Sequence, residues 1–96
     1  MIPHKQKRLE EGETFETSEK GNSMVPLIHS GQTHTLAPIK WQDCKVGDAV
    51  YCKVRGNYYT HLVKATDPIR GCQIGSNRGS INGWTKAVFG KVISVG

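Results

Sequence analysis

The chain has 96 residues, with 13 Lys and Arg against 8 Asp and Glu, a net charge of +5 and 36% hydrophobic residues. That is one domain's worth of chain with a thin core, and no apolar run approaches the roughly 20 residues that a membrane-spanning helix needs. The charge is uneven: residues 1–20 carry four Lys or Arg against five Glu, whereas residues 21–96 carry nine against three Asp and no Glu.

Residues 1–20 are polar and show no sustained apolar period, so they read as a flexible N-terminal arm with Phe15 as the one anchor. The basic residues Lys5, Lys7 and Arg8 have no apolar stretch behind them, unlike a signal peptide. At Gly21-Asn22 the texture changes and a β-rich domain, residues 21–96, is expected to begin. Ser23-Met24-Val25-Pro26-Leu27-Ile28 reads as a short helix with Ser23 at its N-terminus and Pro26 in its first turn.

Thr33–Ile39 follows as a strand closed by Pro38, and Trp41–Lys45 as a connection. Val46-Gly47-Asp48 turns the chain into a second strand, Ala49–Val54. Arg55-Gly56-Asn57 signals a hairpin whose return strand is Tyr58–Ala65, broken by Asp67-Pro68. Gly71–Gly75 is a short strand or turn, residues 76–83 a glycine-rich loop, and Ala87–Val95 a last strand with a bulge at Gly90. Short strands and glycine turns predict a mainly β fold, a small twisted and partly closed sheet or barrel.

Cys44, Cys52 and Cys72 form no metal-like pair and read as buried structural thiols in a reducing, cytoplasmic setting. His4, His29 and His34 lack metal-ligand spacing, so neither metal nor cofactor is expected. Alternation of Tyr51, Tyr58 and Tyr59 with Lys53 and Arg55 imitates a single-stranded nucleic-acid surface, but cross-strand packing in a hairpin explains it at less cost.

The order Gly21-x-Ser23-Met24-x-Pro26, Gly31-Gln32, Val46-Gly47-Asp48-x-Val50, Tyr59-x-His61-Leu62-Val63 and Phe89-Gly90-Lys91-Val92 resembles the serine-peptidase clan of LexA-type repressors and signal peptidases. The run at 77–84 also resembles compact phage-encoded proteins of this kind. The resemblance covers residues 21–95 and implies the LexA/signal-peptidase catalytic-core fold, with Ser23 as nucleophile and a base on the returning strand.

That base position falls on His61. A serine hydroxyl needs an adjacent base to become nucleophilic, and histidine titrates near neutral pH. Lys64 is the alternative base. It lies three residues from His61 and so points to the opposite face of a regular strand. Where the histidine branch of the clan has an acid, this chain reads Gly75-Ser76-Asn77 and Ser80-Ile81-Asn82. This leaves a Ser/His dyad, with Ser76, Asn77 or Asn82 orienting the imidazole. The chain also lacks the Ala-Gly or Cys-Gly bond that LexA-type proteins cut in themselves, and the membrane anchor of signal peptidases.

Three functions follow as expectations. The first is peptide-bond hydrolysis by Ser23 and His61 on a peptide or protein substrate. The second is a catalytically inactive peptidase-fold module that binds a host or viral protein by strand addition. The third, ranked last, is nucleic-acid binding by the basic body.

Overall fold

A computed structural model describes all 96 residues. One helix, α1 (His4–Glu10), precedes seven strands: β1 (Phe15–Thr17), β2 (His34–Pro38), β3 (Ala49–Val54), β4 (Asn57–Asp67), β5 (Gly71–Gly75), β6 (Ile81–Thr85) and β7 (Val88–Val95). A single 3-10 turn, Trp41–Asp43, lies between β2 and β3. The strands form one antiparallel sheet in the order β1-β2-β7-β3-β4-β5-β6.

The β3–β4 hairpin has a two-residue loop in which Arg55 and Gly56 both take positive φ, 51° and 85°. That is the left-handed geometry whose twist matches two paired strands. The sheet curls without closing. The backbone N–H of Lys53 donates to the Ala87 carbonyl at 2.9 Å, and the Thr85 hydroxyl donates to the Lys53 carbonyl at 2.7 Å, so the end of β6 returns to the end of β3.

Alternation along β3 divides the core. Val50, Cys52 and Val54 face one side and pack with Cys44, Val63, Cys72, Ile74 and Val88. Tyr51 faces the other side, with Leu9, Phe15 and Leu36. Burial pushes the Cys44 thiol up to about 12 and raises those of Cys52 and Cys72, which suits structural thiols and not reactive ones. A third cluster, Met24, Ile28 and Leu62, fastens the Ser23 segment to β4.

Four expectations are corrected. Residues 1–20 are not a free arm: β1 pairs with β2, and α1 buries Gln6 and Leu9. Leu9 packs directly onto Gly90, where a Cβ would come within 2.8 Å and 2.9 Å of its methyls. Gly90 is thus the seat of α1 and not itself the bulge. The register of β7 slips against β3 at Phe89, and against β2 at Ile93. Residues 81–83, assigned to a loop, open β6. Lastly, no helix follows Ser23. Residues 22–29 form successive turns, with Val25 N–H donating to the Asn22 carbonyl and Ile28 N–H to the Met24 carbonyl. Pro26 follows Val25 through a cis peptide bond.

Leu9→Ala is expected to cost about 2–5 kcal/mol of stability, as for other fully buried leucines, read from chemical denaturation. A change under about 0.5 kcal/mol would mark α1 as unimportant to the fold.

Candidate functional site

The returning strand β4 carries His61 toward the Ser23 turn. The ring of His61 is buried, 8% exposed, and stacks on Tyr59, two residues earlier on the same face, with centroids 4.2 Å apart and planes 13° from parallel. Its Nε2 lies 3.0 Å from Ser23 Oγ, and its Nδ1 lies 2.7 Å from Asn82 Oδ1. An amide oxygen only accepts, so Nδ1 carries the ring proton and Nε2 presents a lone pair to the Ser23 hydroxyl. That is the tautomer a general base requires. Ser23, His61 and Asn82 thus form one hydrogen-bonded line across three separate parts of the chain.

The other two polar loop residues hold the backbone and do not touch His61. Ser76 Oγ accepts from the N–H groups of Arg78 and Ser80, both at 3.2 Å, which folds the loop on itself. Asn77 grips the Ser23 turn. Its backbone N–H donates to the Ser23 carbonyl at 2.8 Å and its side-chain amide to the Val25 carbonyl at 2.9 Å. With Ser23 O occupied in this way, the N–H groups of Ser23 and Met24 point to no acceptor within the chain. They are two donors beside the hydroxyl.

Lys64 makes no hydrogen bond or ion pair to Ser23, His61 or any carboxylate. Its Cε lies over Gly75, 3.1 Å from where a Cβ there would stand. The register between β4 and β5 shifts at Lys64, so simple alternation from His61 does not extend through it. Asp48 and Asp67 both serve turns. Asp48 accepts from Lys45 N–H and pairs with Lys91 at 3.2 Å, and Asp67 accepts from the N–H groups of Ile69 and Arg70.

Sequence reasoning missed the support beneath β4. Glu19 accepts from both the backbone N–H and the hydroxyl of Thr60, the residue before His61, and from Lys5 Nζ at 3.1 Å. Burial alone would raise the Glu19 carboxyl, but the Thr60 hydrogen bonds and the Lys5 charge outweigh it and hold the group below its ordinary value. A carboxyl depressed in the folded state stabilises fully above its unfolded value of 4.5, and that contribution is lost as pH falls through the folded value. Native protein is therefore expected to be more stable than Glu19→Gln at neutral pH, with the difference shrinking below about pH 4.5. Melting curves from pH 7 to 2.5 measure it, and a difference independent of pH would contradict the assignment.

The largest surface depression, about 850 Å³, is bordered by Leu9, Pro38, Trp41 and Phe89 and holds none of the predicted site residues. A cavity of about 30 Å³ adjoins Ser23 instead. No three metal-ligating side chains come together anywhere in the chain, and no helix is long and apolar enough to cross a membrane. No family model matches this sequence, and no curated protein matches it either.

Proposed function

We propose that the chain is a serine peptidase-like protein of the LexA/signal-peptidase type that acts on peptide bonds, with Ser23 as nucleophile and His61 as general base. The observation that carries this reading is the line Ser23 Oγ, His61 Nε2, His61 Nδ1, Asn82 Oδ1, with spacings of 3.0 Å and 2.7 Å at its two hydrogen bonds. The motif order from Ser23 to Val92 and the mainly β, curled sheet agree with it.

In the proposed reaction the Ser23 Oγ–H proton passes to His61 Nε2 as Oγ bonds to the substrate carbonyl carbon. The carbonyl oxygen takes the negative charge, and the unengaged N–H groups of Ser23 and Met24 can donate to it. The imidazolium then returns its proton to the amine as the C–N bond breaks, leaving an ester on Ser23. Water, deprotonated by the same ring, hydrolyses that ester. Asn82 holds the ring in register but offers a neutral dipole where a carboxylate would offer a charge.

Incubation with a mixture of unfolded proteins, followed by sequencing of new termini, tests the reading. New termini are expected with native protein and not with Ser23→Ala. Their absence from both would count against hydrolysis of peptide bonds.

The neutral third residue also favours a second reading, an inactive module of the same fold that binds a partner by strand addition. On that reading Ser23→Ala retains the partner as well as the native chain does.

A further inference from the structure

Asn82, the neutral residue behind His61, is the one asparagine of the chain that precedes glycine; Asn22, Asn57 and Asn77 precede serine, tyrosine and arginine. Asparagine is a labile residue, and most of all before glycine. There the next backbone nitrogen has no neighbouring side chain to shield it as it closes on the amide carbonyl carbon.

The fold leaves this dipeptide open to that reaction. Gly75 pairs with Ile81 and Ile74 with Gly83, so Asn82 sits in a bulge with no residue of β5 opposite it. Gly83 has a positive φ of 141°, and a Cβ there would stand 3.3 Å from Val54 Cγ1, so packing keeps the position a glycine. Asn82 is half-buried, within reach of water, and its Nδ2 donates to no group of the protein. His61 Nδ1–H donates to its Oδ1 at 2.7 Å, which draws electron density from Cγ and makes that carbon a better electrophile.

We propose that Asn82-Gly83 is a maturation site, at which deamidation turns the neutral end of the Ser23, His61, Asn82 line into a carboxylate. The proposal rests on the roles of Ser23 as nucleophile and His61 as base. The Gly83 backbone nitrogen loses its proton to solvent and bonds to Asn82 Cγ. The resulting oxyanion, at the oxygen held by His61, collapses as Nδ2 takes a proton and leaves as ammonia, closing a five-membered succinimide. Water then adds to Cγ, the Cγ–N bond breaks, and the nitrogen recovers its proton. The net change is amide plus water to carboxylate plus ammonium. Water adding to the main-chain carbonyl of the ring would instead give isoaspartate and lengthen the backbone of β6. The His61 hydrogen bond favours attack at Cγ, because it polarises that carbonyl. The carboxylate formed accepts from the same Nδ1–H, now through a charge-assisted hydrogen bond. A fresh chain thus carries the weaker dyad, and its reactivity rises as the protein ages.

Ageing of the native protein in warm, mildly alkaline buffer tests this, with each time point divided between peptide mapping and Ser23 labelling by a generic fluorophosphonate. Aspartate is expected to accumulate at position 82 ahead of any change at Asn22, Asn57 or Asn77. The labelling rate is expected to climb with it toward about tenfold, the gain of a charged over a neutral hydrogen bond. Asn82→Asp is expected to start at the raised rate and stay there. Conversion at position 82 no faster than at the other three asparagines would overturn the site. Conversion chiefly to isoaspartate, or with an unchanged or falling labelling rate, would overturn its role in maturation and leave Ser23 as nucleophile. No labelling of Ser23 in fresh, aged or Asn82→Asp protein would overturn the nucleophile and the maturation with it.

Discussion

His61→Ala is expected to slow phosphonylation of Ser23 by a generic fluorophosphonate by about 10²–10⁴-fold, the usual contribution of a positioned general base. Nε2 stands 3.0 Å from the hydroxyl, with its lone pair toward the proton because Nδ1–H is committed to Asn82. His61 is the one side chain hydrogen-bonded to Ser23 Oγ, and Glu19, on the wall of the adjoining cavity, is engaged by Thr60 and Lys5. His61 is buried and stacked on Tyr59, so alanine also removes packing. His61→Gln keeps much of the volume but supplies no base near neutral pH, and it should show the same loss with a smaller change in melting temperature. Labelling that survives in the glutamine variant within a factor of about three, well below the usual contribution of a base, would contradict the assignment.

Asn82→Asp is expected to raise the labelling rate about tenfold, and Asn82→Leu to lower it by a similar factor. Asn82 Oδ1 already fixes the productive tautomer at 2.7 Å, so aspartate changes the charge and not the orientation. Hydrogen bonds to charged groups are worth about 1.5–3 kcal/mol against about 1 kcal/mol for neutral pairs, and the difference of roughly 1.4 kcal/mol is a factor of ten. The benefit falls on the imidazolium formed in the transition state, so it appears as rate. Leucine leaves Nδ1–H without an acceptor and the ring free to tautomerise. A leucine variant as fast as the native chain would show that Asn82 has no positioning role.

The apolar, β-branched and aromatic residues of β3, β4 and β7, bounded by glycine and proline turns, made those strands legible, and the His61 motif could be placed on β4 by local pattern alone. The edges were not legible. Leu9 and Phe15 are too few to give α1 and β1 a period of their own, and both elements depend on β2 and Gly90 for their packing. Asn82 and Gly83 look like turn formers, and β6 exists because β5 offers it a partner. The same pairing explains why Ser76, Asn77 and Asn82 could not be ranked from sequence. Leu62 pairs with Gly75, and Gly75 with Ile81, which brings Asn82 across to His61 and leaves Ser76 and Asn77 in the connecting loop.

The most direct measurement is peptide mapping of the native protein after reaction with a limiting amount of fluorophosphonate, with acid-unfolded protein as the reference. The expected result is a single adduct on Ser23 and none on Ser18, Ser30, Ser76, Ser80 or Ser94, with no adduct once the chain is unfolded. No adduct on Ser23 in the folded protein, or labelling spread equally over these serines, would contradict its activation by His61.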